Sequence, residues 1–269
     1  LVDIGVAAMP GAATVLDTPV FRAPPADSHK YRRGLLAIVA GEMPGAPLLS
    51  AEAALRAGAG YVRLLADWRP DGVPPELVCV EDVATGITDE RIAALLIGPG
   101  LGRGQAARAR LGAVVSRGLA TVIDADALML LGPDLPLRGA CVLTPHEGEM
   151  AALERAFGLS GEGHRRDRAL ALARVSGAVV LLKGPDSLIA APDGSIALAP
   201  RAPSWLAVAG SGDVLAGMIA SRLAMHGDAA RAAREGLWLH GEAARLAGPA
   251  FTALDLARAT RLAVRAAIA

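Results

Sequence analysis

Five times along this chain a short aliphatic run stops at a loop of glycine and polar residues. The runs are residues 35–40, 94–97, 121–123, 141–143 and 178–182, and the loops are 41–46, 98–102, 124–127, 144–149 and 183–187. Helical stretches over 47–57 and 105–116 follow the first two loops, and a strand over 61–65 closes the first unit. Strand, loop, helix and strand form a βαβ unit, which requires parallel pairing. In an open parallel sheet, ligands bind outside the carboxyl ends of the strands. The five loops are therefore expected to converge on one cleft. Two short strands, 188–191 and 196–198, flank Pro192-Asp193-Gly194, a hairpin turn. Ala-rich helices over 228–247 and 253–268 end the chain, suited equally to covering the sheet or to meeting a second subunit.

Composition narrows the partners. The 269 residues are 53% hydrophobic and 3% aromatic, so Ala, Leu, Val and Gly must build the core. Basic and acidic residues balance at 27 each, which argues against nucleic acid or an anionic membrane as partner. Tyr31-Arg32-Arg33 and His164-Arg165-Arg166 are short basic clusters that read as solvated faces. No apolar segment is long enough to span a membrane and no signal peptide is evident. Cys79 and Cys141 lie in apolar, strand-like runs without zinc or disulfide spacing, as expected of buried reduced thiols in a cytoplasmic protein. Residues 1–28 are rich in Pro, Ala and Gly and read as a linker or arm ahead of a domain over 29–269.

The stretch Ala209-Gly210-Ser211-Gly212-Asp213-Val214-Leu215-Ala216-Gly217 carries the sharpest chemistry. Apolar spacing starts a helix near Asp213. The glycines allow close approach of a ligand, and the first helical turn offers free N–H groups to an anion. Asp213 then reads either as a base or as a helix cap. Gly98-Pro99-Gly100-Leu101-Gly102 would receive a flat ligand or phosphate, or simply turn a strand into a helix. Asp124 and Asp126 suit Mg²⁺ held through water or helix capping; capping is expected of Asp126, and Asp124 stays open. His146 suits either donation to a substrate amide or phosphate or a structural role, and its place at a strand end favours the first. Glu147 and Glu149 suit the first turn of a helix. Lys183 suits a phosphate, although no Walker pattern is present. His240 reads as packed or capping. No metal-binding His pair, no nucleophile elbow and no GxGxxG after the first strand is present.

Taken in order, His29-Lys30, Met43-Pro44-Gly45-Ala46, Ala51 to Gly60, Gly98-Pro99-Gly100-Leu101-Gly102, Asp124-Ala125-Asp126-Ala127-Leu128, Leu143 to Glu149, Leu182-Lys183-Gly184 and Gly210 to Gly217 resemble the ADP/ATP-dependent NAD(P)H-hydrate dehydratases of the ribokinase-like superfamily. The resemblance covers residues 29–269. It implies a ribokinase-like three-layer α/β sandwich, a mostly parallel sheet with helices on both faces. It implies that ADP or ATP, with Mg²⁺ bridging its phosphates, phosphorylates the C6 hydroxyl of NAD(P)H hydrate, and that phosphate then leaves to restore NAD(P)H. Asp213 would be the base, with Gly210, Ser211 and Gly212 holding the developing charge. Ala46, Gly100 and His146, with Asp213, would contact the hydrated dinucleotide. Lys183, Gly184, Pro185, Asp186 and Ser187, with Gly212, would contact the nucleotide. No residue is assigned as a metal ligand. The alternative within the superfamily is a kinase of a vitamin precursor or sugar. Tyr31, Met129, Ala209 and Ser187 depart from the usual pattern. Val2-Asp3-Ile4-Gly5-Val6 resembles the last strand of an NAD(P)H-hydrate epimerase domain, so the chain is expected to be the C-terminal part of a bifunctional protein.

Overall fold

The computed structural model describes residues 12–268; the epimerase-like stretch lies outside them. The aliphatic runs form β2 (Leu35–Val39), β3 (Tyr61–Leu65), β5 (Ala94–Ile97), β6 (Ala120–Ile123), β7 (Cys141–Leu143) and β8 (Val179–Leu182). With β1 (Thr14–Val15), β4 (Val78–Val80), β9 (Leu188–Ala190) and β10 (Ile196–Leu198) they make one sheet in the order β1-β10-β9-β8-β7-β6-β5-β2-β3-β4. All neighbours run parallel except the two pairs made by β9. The expected hairpin accounts for one of these: β9 turns through Asp193 into β10.

Continuous apolar strands need cover on both faces, and helices supply it. Leu35, Ala37 and Val39 point to α3 (Gln105–Ser116), α4 (Asp126–Leu130), α5 (Glu147–Ala156) and α6 (Arg165–Ser176). Leu36 and Ile38, one residue out of phase, point to α1 (Gly45–Ala57), α7 (Ser211–His226) and α8 (Ala229–Ala247). A last helix, α9 (Ala253–Ala266), lies outside α1 and α8 over a core containing Phe21, Met218 and Leu256. The one-turn α2 (Val83–Gly86) links β4 to β5.

The chain steps from β2 to β3 and β4 on one side, then returns to β5 on the other. This reversal opens a crevice at the carboxyl ends of β2 and β5. Loops 41–46 and 98–102 close on each other there, with Met43 N–H donating to Gly100 O at 3.0 Å. A Cβ on Gly100 (φ 62°) would lie 2.3 Å from Met43 O, so this glycine serves loop packing whatever else it does.

Three expectations change in detail. The arm is fastened to the domain: β1 pairs with β10, and Phe21, 3% exposed, donates its N–H to Ala267 O. Cys141 is buried, but Cys79 sits half-buried because β4 is the sheet edge. Residues 147–176 form two helices, α5 and α6, where the sequence reading named one.

Candidate active site

The helix α7 begins at Ser211, two residues before Asp213. Its N-cap, Gly210, is left-handed (φ 88°), and a Cβ there would lie 2.6 Å from Leu49 Cδ1. The turn therefore requires glycine. Ser211 N–H donates to Val208 O at 3.2 Å. The amides of Gly212 and Asp213, in the first turn, have no intrahelical acceptor and lie at the positive end of the helix dipole. Together they suit an anion.

Asp213 is not the cap. It lies within the first turn, half-buried, and its carbonyl accepts from Ser50 Oγ at 2.8 Å. Ser50 Oγ also donates to Ala46 O at 3.3 Å, so one hydroxyl ties the start of α1 to the start of α7. Burial and the charges of Asp124, Asp126 and Glu149, opposed by Lys183, raise the Asp213 carboxyl from 3.8 to about 6. A carboxyl poised near neutrality beside an anion site suits proton transfer at physiological pH.

The cation of the site is Lys183, at the end of β8. Its Nζ donates to Asp124 Oδ1 at 2.8 Å and lies 3.6 Å from Glu149 Oε2. Burial alone would lower its pKa, but the two carboxylates outweigh burial and raise it. A Cβ built on Gly212 would lie 3.6 Å from this Nζ, which puts the ammonium beside the first turn of α7. Asp124, 1% exposed, also accepts from Thr144 Oγ1 at 2.7 Å. Asp126 does not cap its helix: the N-cap of α4 is Ala125, at φ 48°. Asp126 instead accepts from Gly102 N–H at 3.0 Å and Arg103 Nε at 2.7 Å, fastening loop 98–102 to loop 124–127.

His146 is the N-cap of α5. Its Nδ1 accepts from Gly148 N–H at 2.9 Å and Glu149 N–H at 3.2 Å, while Glu149 Oε2 accepts from His146 N–H at 2.8 Å. An Nδ1 that accepts leaves the proton on Nε2, which lies 3.5 Å from Glu149 Oε1 on a side chain 61% exposed. His240 is packed, as expected, and its place is specific. Its Nε2 lies 3.0 Å from Ser211 O and 3.1 Å from Ser211 Oγ. A carbonyl can only accept, so Nε2 carries the proton, and burial pushes this histidine down to about 4, neutral at pH 7. In the loop 183–187, Ser187 Oγ donates to Gly184 O at 2.9 Å and accepts from Gly184 N–H at 3.2 Å.

The structure thus gathers Gly212, Asp213, Lys183, Asp124 and Glu149, with Ala46 joined to Asp213 through Ser50. Sequence reading missed the Lys183–Asp124 pair, the Ser50 bridge and the His240–Ser211 contact. The residues of these contacts are 59, 163 and 29 positions apart, beyond any local spacing signal.

Residues 36–263 match the family model of NAD(P)H-hydrate dehydratase. An ADP-dependent (S)-NAD(P)H-hydrate dehydratase of Neisseria meningitidis is 38% identical, over 84% of this chain and 81% of that protein. A bifunctional NAD(P)H-hydrate repair enzyme, Nnr, of Mycobacterium leprae is 37% identical over 83% of this chain, which spans about half (48%) of that protein. The structure of ADP/ATP-dependent NAD(P)H-hydrate dehydratase from Bacillus subtilis, co-crystallised with ATP and Mg²⁺, superposes with a TM-score of 0.80. That protein is 29% identical, and the match covers 92% of this chain and 94% of that one.

Proposed function

The chain belongs to the NAD(P)H-hydrate dehydratase family, and from that premise we propose that it uses an adenine nucleotide to return (6S)-NAD(P)H hydrate to NAD(P)H. The observation that carries the reading is Asp213, a carboxyl raised to about 6 in the first turn of α7, beside the ammonium of Lys183. Asp213 takes the proton of the C6 hydroxyl as its oxygen attacks the terminal phosphoryl group. The amides of Gly212 and Asp213, with Lys183 Nζ, face the charge that develops on the phosphoryl oxygens. Gly210 and Ser211 hold that turn in shape. The nucleotide, one phosphate shorter, departs; phosphate then leaves C6 as C5 gives up a proton, which restores the C5–C6 double bond of the reduced nicotinamide. Ala46, Gly100 and His146 contact the hydrated dinucleotide, and Lys183 to Ser187 with Gly212 contact the nucleotide.

Among the described residues no group of three His, Cys, Asp or Glu side chains is arranged to hold a metal ion. Asp124 and Glu149, the carboxylates on Lys183, fit Mg²⁺ held through water and phosphate oxygens, the coordination this ion favours. When bound, the ion neutralises phosphate charge. A kinase releasing a phosphorylated product is the other reading of such a site, and relatives at 37–38% identity favour dehydration. The unpaired Cys79 and Cys141 support a cytoplasmic setting, and the bifunctional relatives support an epimerase domain ahead of this one.

The test is direct. Protein with NADH hydrate, Mg²⁺ and either ADP or ATP should restore the NADH absorbance band and release one phosphate per NADH formed. A phosphorylated vitamin precursor or sugar, with no NADH from either nucleotide, contradicts the reading.

A further inference from the structure

The cluster His164-Arg165-Arg166 reads in the sequence as a solvated face, yet its middle member is tied down. Arg165 opens α6, and its side chain is 30% exposed. Its Nη1 donates to Asp186 O at 2.8 Å and its Nη2 to Lys183 O at 3.0 Å. Its Nε donates to Glu147 Oε1 at 2.6 Å. Glu147 is braced in turn by Arg168 Nη1 at 3.1 Å, and Arg168 Nε donates to Glu154 Oε1 at 2.7 Å. A Cβ on Gly184 would lie 2.7 Å from Arg165 Nη2, so glycine at that position lets the guanidinium lie flat against the loop backbone.

We propose that Arg165 is a positioning residue for the adenine nucleotide, holding loop 183–187 in its binding shape. The inference rests on that loop being the nucleotide contact. The carbonyls of Lys183 and Asp186 bracket the tip at Gly184 and Pro185, and a single rigid fork of charged N–H donors grips both. Beyond Lys183, Ser187 Oγ braces the loop at Gly184 and does not reach its far side. Lys183 itself is held independently, its N–H donating to Pro145 O at 2.8 Å and its ammonium bound by Asp124 and Glu149, so the grip of Arg165 bears on the loop beyond it. Through Glu147, Arg165 also joins the loop to the first turn of α5, next to His146.

Calorimetric titration with ADP tests this on the whole chain, alongside steady-state kinetics. Arg165→Ala should weaken ADP binding about tenfold or more and raise the KM for ADP alike. Its kcat at saturating ADP and its KM for NADH hydrate should stay within about threefold. Arg165→Lys should recover part of the loss, since an ammonium can reach one carbonyl but not two. Glu147→Gln, which frees the anchor but keeps the fork, should weaken ADP in the same direction and by less. A folded Arg165→Ala chain that binds ADP within about twofold of wild type overturns the inference. So does a loss spread equally over kcat and the hydrate KM, the sign of a merely structural role. If Arg165→Ala does not fold, unchanged ADP affinity in both Arg165→Lys and Gly184→Ala overturns it. Wild-type protein that does not bind ADP overturns the nucleotide reading itself, and this inference with it.

Discussion

At the scale of single residues, the site turns on a carboxyl crowded by three others. Burial, then Asp124, Asp126 and Glu149, raise the pKa of Asp213, and Lys183 opposes them. The base is needed ionised, so kcat/KM should rise with pH through a midpoint near 6, read from a pH profile of NADH recovery. Replacing Lys183 by Met removes the opposing charge, so that midpoint should move to higher pH while nucleotide affinity falls. A profile that stays put would detach Lys183 from Asp213. The same shift has a stability sign. Folded Asp213 holds its proton more tightly than the unfolded value of 3.8. Stability is therefore lost as pH rises from 3.8 to about 6, and the whole cost is present above that. Asp213→Asn should then be more stable than wild type at pH 8, by on the order of 1 kcal/mol after solvent screening. At pH 4 the gain should nearly vanish, and urea titrations at the two pH values check it. The importance of Asp213 was legible in the sequence, because glycines before an acid at a helix start are a local pattern. Its environment was not, because Asp124 and Lys183 come from different strand ends and meet only in three dimensions.

At the scale of elements, two helix starts do the positioning. The α1–α7 pair is close: a Cβ on Gly217 would lie 2.1 Å from Ser50 O. Backbone cannot yield there as a flexible side chain would. Gly217→Ala should destabilise by about 3 kcal/mol and lower activity with it, by denaturant unfolding and NADH recovery. His146 caps α5, and the proposed function gives it a second duty, as a donor to the hydrate. Asn is among the best caps but lacks Nε2, so His146→Asn should keep stability within about 0.5 kcal/mol while raising the KM for NADH hydrate. His146→Ala should lose about 1 kcal/mol as well. Equal KM values for wild type and Asn would leave His146 with capping alone. Strand and helix bounds over 35–65 and 94–123 were legible because aliphatic runs and Gly-rich stops punctuate them, whereas β4 and α2 between them were not named. The α5–α6 break was harder to see. The new helix starts after His164, which makes no side-chain capping bond, and α6 carries a weak apolar stripe behind an Arg-rich start.

At the scale of the whole molecule, the ribokinase-like three-layer architecture expected from the sequence is the one present. Convergence of the loops was also legible, because strand-end polarity in a parallel sheet leaves no other edge. Strand order was not, since nothing local tells β5 to return beside β2. Nor was the packing of the arm, where the Arg222 guanidinium lies 4.2 Å over the Phe21 ring. Phe21→Ala should therefore cost about 3 kcal/mol by thermal or denaturant unfolding, although residue 21 precedes the first long strand. The central claim is that Asp213 moves the proton at a phosphoryl-transfer site, and one comparison tests it most directly. Wild type and Asp213→Asn, each saturated with ADP and Mg²⁺, are given NADH hydrate, and both NADH formed and ADP bound are measured. Asn should lower the rate by roughly 10²–10⁴-fold while ADP affinity changes less than about threefold. Recovery of NADH by Asp213→Asn at the wild-type rate would contradict the account.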